Sequence, residues 1–248
     1  MLDLDDRVAI VTGSSRGIGR AIAYAYASRG CRVALNHTRE GKDIARTCEM
    51  LDSIGASYKI FRGSVADANF VNDMTKAVVD EWGKIDILVN NAGINRDKLA
   101  MLLPESDWDD VIDTNLKGAF LCSKAAIKPM ISQRSGRIIN ISSLTAVAGR
   151  EGQSNYGAAK AGLIGMTKSM ARELGPYNIL VNALVVGLID TLMTKKLPRA
   201  IHADIKKIIP LGRFGQPEEV ANACLFLASD LSTYITGSTI NCTGGGYM

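Results

Sequence analysis

Short apolar runs rich in Val and Ile alternate with longer segments whose apolar positions recur at helical spacing, from Arg7 to the end of the chain. The runs predict strands near 7–12, 32–36, 58–61, 85–89, 137–141, 179–184 and 238–242. Between them the longer segments predict helices near 17–29, 40–54, 67–82, 106–132, 154–175 and 217–229, each long enough to return the chain for a parallel strand. Stretches such as Ile85–Val89 and Ile138–Ile141 are nearly all apolar rather than alternating, as a sheet covered on both faces requires. The expectation is a single-domain, doubly wound α/β fold of about seven parallel strands with helices on both faces.

No Pro-, Gly- or Ser-rich linker divides the 248 residues, and no sequence repeat appears. The long stretch without periodicity, about Gly187 to Phe214, leaves the carboxyl end of the sixth strand, where such sheets bind ligands, and is expected to be a substrate lid.

With 47% hydrophobic and 22% charged residues, and no apolar run near the roughly 18 residues of a membrane helix, the composition is that of a soluble globular protein. The net charge of +4 is dispersed, too mild to argue for nucleic acid. Cys31, Cys48, Cys122, Cys224 and Cys242 are odd in number, scattered and without C-x-x-C spacing, so they read as reduced core thiols. His37 and His202 are the only histidines, neither at ligand spacing from a Cys or carboxylate, and no metal site is expected. The acidic N-terminus carries neither a signal peptide nor a transit pattern, which makes the cytoplasm the expected compartment.

Chemistry begins at the first strand-to-helix turn, Thr12-Gly13-Ser14-Ser15-Arg16-Gly17-Ile18-Gly19. Gly13 permits a tight turn; Gly17 and Gly19 clear space for a pyrophosphate and for helix packing, and the helix N-terminus offers free N–H groups and partial positive charge. The spacing, G-x-x-x-G-x-G, differs from G-x-G-x-x-G, so its context carries the argument. A site for NAD usually has Asp or Glu at the end of the second strand. Here that position reads Leu35-Asn36-His37-Thr38-Arg39, with no carboxylate until Glu40. Arg16 and Arg39 can supply forks for a 2′-phosphate, and the expected cofactor is NADPH.

Ser154-Asn155-Tyr156-Gly157-Ala158-Ala159-Lys160 places a tyrosine and a lysine four apart on one helix face. A phenol with pKa about 10 is a poor acid or base at neutral pH, and a neighbouring ammonium would lower that pKa. Ser142 and Ser143 close the preceding strand at its carboxyl end, where a hydroxyl can face the same cleft.

In combination these motifs resemble the short-chain dehydrogenase/reductase family. The match comprises T-G-x-x-x-G-I-G at Thr12–Gly19, N-N-A-G at Asn90–Gly93, the Asn of Asp113-Thr114-Asn115, the strand serine and Y-x-x-x-K at Tyr156–Lys160. The family's serine lies thirteen residues before the tyrosine, which selects Ser143. The resemblance implies an NADP(H)-dependent oxidoreductase with a catalytic tetrad of Asn115, Ser143, Tyr156 and Lys160. Tyr156 is the general acid in reduction, and Ser143 binds the carbonyl oxygen. Lys160 lowers the Tyr156 pKa and holds the nicotinamide ribose. Asn115 bends its helix and anchors a water that relays protons. The cofactor surface it implies takes in Gly13, Ser15, Arg16, Gly17, Ile18 and Gly19, then His37, Thr38 and Arg39. It continues through Ser64 and Val65 beside the adenine, Asn91, Ala92 and Gly93, Tyr156 and Lys160, and Gly187, Ile189 and Thr191.

Two positions depart from the family pattern. Ser64 stands where many relatives have Asp or Asn, and Val186 stands where proline commonly precedes Gly187. Loss of proline's fixed φ is expected to leave that turn less rigid and to weaken cofactor affinity. Within the family, Gly93–Asp97, Gly212–Ala221 and Thr243–Met248 resemble β-ketoacyl-acyl carrier protein reductases. The implied activity is reduction of a 3-oxoacyl thioester, linked to acyl carrier protein, in fatty acid or related polyketide synthesis. An acetoacetyl-CoA reductase, another short-chain alcohol or sugar dehydrogenase, and a non-catalytic nucleotide-binding protein are the alternatives. Lys128 and Arg134 are candidates to meet an acidic carrier protein near the active-site mouth, with Tyr177 where the subgroup often has a second basic residue. Relatives imply a homotetramer; the face of Ala161, Leu163, Ile164, Met166 and Met170 would suit either that assembly or burial on the chain's own sheet.

Overall fold

The computed structural model describes residues 2–191 and 209–246. Seven parallel strands form one sheet in the order β3-β2-β1-β4-β5-β6-β7. They are β1 (Val8–Val11), β2 (Arg32–His37), β3 (Tyr58–Arg62), β4 (Ile87–Asn90), β5 (Gly136–Ser143), β6 (Ile179–Val186) and β7 (Thr239–Cys242). The helices are α1 (Gly17–Ala27), α2 (Lys42–Asp52), α3 (Ala68–Trp82), α4 (Glu105–Ile112), α5 (Gly118–Gln133), α6 (Thr145–Ala148), α7 (Ser154–Leu174) and α8 (Pro217–Ala228).

The alternation of side chains along each strand divides the core in two. Ala9, Val11, Val33 and Leu35 point into a layer closed by α1, α2 and α8. Val8, Ile10, Leu88, Ile138 and Val181 point the other way, against α3, α5 and α7. β1, β4 and β6 are buried along their whole length, whereas the edge strands β3 and β7 are half exposed. That is why the central strands read as continuous apolar runs.

The predicted helix over 106–132 is two helices. A π-helical stretch, Asp113–Lys117, separates α4 from α5 and carries buried Asn115. The Asn115 side chain clamps the chain after β4: Oδ1 accepts from the Ile94 N–H (2.8 Å) and Nδ2 donates to the Ile94 carbonyl (3.0 Å). The π-helical stretch lies where the resemblance implied a bend, and this clamp holds it against the chain after β4.

β6 also runs two residues beyond its predicted end. Val186 pairs with Ser143 on one side and Cys242 on the other, and its carbonyl accepts from the Leu144 N–H (2.9 Å). The residue that stands in place of the family's proline is thus held in the sheet by pairing on both sides. The lid predicted over 187–214 falls mostly on residues 192–208, outside the described residues. At its near end Ile189 pairs with Gly215, and the Asp190 N–H donates to the Gly215 carbonyl (2.8 Å).

A buried polar chain crosses the second layer below the crevice. Asn90 Nδ2 donates to Ser123 Oγ on α5 (3.0 Å) and to Asn140 Oδ1 on β5 (2.8 Å), and Asn140 Nδ2 donates to Thr167 Oγ1 on α7 (2.8 Å). Removing one member strands buried partners. Asn140→Leu is therefore expected to lower stability by about 2 kcal/mol in urea unfolding, although leucine adds apolar volume.

Candidate active site

β1 and β4 are neighbours in the sheet while the chain leaves them in opposite directions, so a crevice opens at their carboxyl ends. Its walls are tied together by one side chain from each strand. Thr12 Oγ1 accepts from the Asn91 and Ala92 N–H groups (both 3.0 Å), and Asn91 Nδ2 donates to the Thr12 (2.9 Å) and Gly13 (3.1 Å) carbonyls. Gly13 has φ +63°, and a Cβ there would lie 2.9 Å from Ala92 Cα. A Cβ on Gly19 would collide with the Gly13 carbonyl oxygen, so Gly19 serves the closeness of α1 to its own turn. No side chain caps α1, which leaves the first-turn N–H groups of Gly17, Ile18 and Gly19 directed out of the turn.

Two residues that the sequence reading passed over hold this turn. Asn36, at the end of β2, accepts through its carbonyl from the Ser14 N–H (2.9 Å) and donates from Nδ2 to the Gly63 carbonyl (3.0 Å). Arg20 Nη2 donates to the carbonyls of Ser15 and Asp43 (both 2.7 Å), fastening the turn to α2. A polar Asn at the end of an apolar strand was a readable signal; the reach of Arg20 was not.

The expected 2′-phosphate corner is basic and open. Thr38 and Arg39 are exposed, while His37 is buried with Nδ1 bonded to the Arg39 carbonyl (3.0 Å). Arg16 lies 3.6 Å from Asp43, both exposed, and Glu40 is turned away onto Arg62 (2.6 Å). On the facing wall Val65 is buried and packs on Gly118, where a Cβ would come within 2.6 Å of it; Ser64 is exposed. Gly93 faces Asn115, and the Thr191 methyl comes within 3.6 Å of where a Cβ on Gly17 would stand. A Cβ on Gly187 would come within 2.8 Å of Thr243 Cα, so the β6 turn also needs glycine.

Ser143, Tyr156 and Lys160 meet at the carboxyl end of β5. Ser142 and Ser143 are distinguished there: buried Ser142 donates from Oγ to the Lys160 carbonyl (2.8 Å), while Ser143 accepts from the Thr145 N–H (3.2 Å) and its hydroxyl acts to lower the Tyr156 pKa. Lys160 is 3% exposed, donates from Nζ to the Ile141 carbonyl (2.8 Å), and lies 5.7 Å from the Tyr156 ring centroid.

The net displacement of the Tyr156 pKa is upward, and its causes do not include the lysine expected to lower it. Burial raises the Tyr156 pKa, the Ser143 hydrogen bond offsets part of that, and Asp97 raises it further. Burial lowers Lys160 to about 8. Both side chains are thus pushed towards neutrality.

Lys128 and Arg134 sit at the C-terminal end of α5, which leads into the start of β5. Ser143 is at the other end of that strand, roughly 23 Å away at 3.3 Å per residue. They do not flank the mouth of their own site, contrary to expectation. On α7, Leu163 and Met170 pack into the chain's own core, leaving Ala158, Ala161 and Gly165 outward.

Residues 13–247 match the family model described as enoyl-(acyl carrier protein) reductase, and the chain belongs to the short-chain dehydrogenase/reductase family of oxidoreductases, which implies a nicotinamide cofactor. The chain is 49% identical over 240 residues to the 3-oxoacyl-acyl-carrier-protein reductase of Staphylococcus aureus, covering 97% of this chain and 98% of that protein. To the reductase of the same name from Aquifex aeolicus it is 46% identical over 244 residues, covering 98% of each. A solved structure described as a short-chain alcohol dehydrogenase from Sinorhizobium meliloti superposes with a TM-score of 0.94 at 37% identity, covering 99% of this chain and 98% of that one. The uncapped α1 N-terminus and the space at Gly17, where a Cβ would meet only the Thr191 methyl at 3.6 Å, fit the pyrophosphate of such a cofactor.

The low Lys160 pKa makes a prediction about stability. An unfolded lysine titrates near 10.4, so above about pH 8 the unfolded chain binds more protons than the folded one, and stability rises with pH up to the unfolded value. Below pH 8 the folded protein carries a buried ammonium at a cost. Lys160→Met is expected to raise the Tm of the cofactor-free protein at pH 7 and to remove the rise between pH 8 and 10, measured by scanning calorimetry.

Proposed function

We infer that the protein reduces the ketone of a 3-oxoacyl thioester on acyl carrier protein to the 3-hydroxyacyl thioester, with NADPH, in fatty acid or related polyketide synthesis. The observation that carries this reading is the convergence of the Ser143 and Tyr156 hydroxyls beside Lys160 at the carboxyl end of β5. The names of the full-length relatives supply the substrate class.

The cofactor, when bound, supplies a hydride to the carbonyl carbon. Ser143 hydrogen-bonds the carbonyl oxygen, and Tyr156 gives that oxygen its proton as negative charge develops. Lys160, lowered by burial to about 8, still carries its proton at neutral pH but gives it up towards the phenol more readily than an exposed lysine would. Asn115, with its side chain committed to Ile94, fixes the bend that faces Gly93 and supports the relay water from its main chain. Arg16 and Arg39 meet the 2′-phosphate, and no carboxylate at the end of β2 stands ready to favour NAD. Free thiols at all five cysteines agree with a cytoplasmic setting.

A homotetramer belongs to the same reading. Met101 is 87% exposed and Leu102 64%, with Leu99, Trp108 and Phe120 exposed on the same α4–α5 region. Such a surface favours a partner. Lys128 and Arg134, far from their own Ser143, could dock a carrier protein only for the site of another subunit. Light scattering is expected to give four protomer masses, falling on Met101→Glu; an unchanged mass would remove this region from the interface.

Initial rates of NADPH oxidation with acetoacetyl-carrier protein are expected to exceed those with acetoacetyl-CoA at equal concentration. Equal rates would assign the enzyme to CoA or free substrates, and no turnover with either would point to another alcohol or to binding alone. The double variant Arg16→Ala/Arg39→Ala is expected to lose about tenfold in preference for NADPH over NADH, the scale of one charge-assisted hydrogen bond.

A further inference from the structure

The hydrogen bonds that orient Ser143 do not end at Thr145. The Thr145 N–H donates to Ser143 Oγ, and Thr145 Oγ1 donates to Gln153 Oε1 (3.0 Å). Gln153 Nε2 in turn donates to Asp97 Oδ2 on the segment after β4 (2.9 Å). Gln153 is 4% exposed and immediately precedes α7, three residues before Tyr156. Its amide is therefore fixed in sense, oxygen to the β5–α6 turn and nitrogen to Asp97. The same corner is closed by the Lys98 N–H on the Gly152 carbonyl (2.9 Å) and by Asn155 Nδ2 on the Arg96 carbonyl (3.1 Å). Arg96 and Lys98, the neighbours of Asp97, pair instead with Asp107 and Asp110.

We propose that Gln153 is a positioning residue for the reaction: held by Asp97, it fixes Thr145 and thereby the Ser143 hydroxyl against the Tyr156 phenol. The proposal rests on the reading of Ser143 and Tyr156 as the carbonyl-binding and proton-donating pair. Ser143 sits at the end of a strand and Tyr156 on a helix, so their separation depends on how the β5–α6 turn docks on the start of α7. Ser142 and Lys160 tie the end of β5 to the body of α7, and Gln153 joins the β5–α6 turn to the residues that open α7. A small displacement of either hydroxyl would misplace the carbonyl oxygen shared between them.

The test exchanges donor and acceptor. Gln153→Met removes both side-chain hydrogen bonds at similar volume, and Gln153→Glu sets two carboxylates face to face. Gln153→Glu combined with Asp97→Asn restores both bonds with the polarity of one reversed. Both single variants are expected to lose about tenfold or more in kcat with KM for NADPH unchanged, and the double variant to recover most of it. A kcat within twofold of wild type in Gln153→Met, or no recovery in the exchanged pair when it folds and binds NADPH as wild type does, would overturn the proposal.

A second readout does not depend on the substrate. In ring-labelled protein, with the resonance assigned by Tyr156→Phe, the Tyr156 phenol should titrate higher in Gln153→Met as the Ser143 hydrogen bond is lost, and return in the exchanged pair. The charged groups bearing on the phenol are Lys160 on α7 and Asp97 across from it. If wild type fails to reduce any 3-oxoacyl thioester, the functional reading fails while this titration still decides the role of Gln153; an unmoved phenol would overturn it.

Discussion

The clasp between Thr12 and Asn91 is the interaction on which the site depends. Parallel strands β1 and β4 lie side by side, yet their chains depart in opposite directions, and beyond the bond from the Thr12 N–H to the Val89 carbonyl (3.1 Å) the two exits need a further tie. Thr12 Oγ1 and the Asn91 amide supply it, by hydrogen-bonding each other's main chain at the lip of the crevice. The clasp brings Ala92 against Gly13 closely enough to exclude any Cβ. It also spends the Asn91 amide donors on the protein, so that residue shapes the cofactor surface rather than reaching across it. With that lip fixed, Asn36 and Arg20 anchor the glycine turn from β2 and α2, and Asn115 anchors the other side through Ile94.

The electrostatics of the reacting corner follow from where it is built. Tyr156 and Lys160 stand on a helix packed against a sheet, and burial disfavours both of their ions. The groups that counter it are few: the Ser143 hydroxyl on the phenol and the Ile141 carbonyl on the ammonium. Burial thus makes the phenol hold its proton more tightly and the ammonium hold its proton more loosely.

Local chemistry was legible in the sequence and long-range reach was not. The central strands announced themselves because they are apolar on both faces, and the glycine turn because Gly13 and Gly19 have no room for a side chain. The break between α4 and α5 was not read from the periodicity, and the clamp that holds it, on Ile94, lies 21 residues away in the chain. The pairing of Val186 was not legible either: the sequence showed only its difference from the family's proline, and not that β6 runs on through it between β5 and β7. Lys128 and Arg134 were placed by resemblance and by their position before β5, and the topology sets them at the end of that strand opposite Ser143. Gln153 was invisible because its partners, Thr145 and Asp97, lie 8 and 56 residues away.

The central claim is that the Tyr156 phenol gives the proton that completes ketone reduction. Tyr156→Phe keeps the ring and removes only the hydroxyl, so steady-state reduction of acetoacetyl-carrier protein, paired with NADPH affinity from fluorescence titration, tests it directly. The account predicts a kcat lower by about 10²-fold or more with NADPH affinity unchanged. A variant that keeps most of its kcat would contradict it.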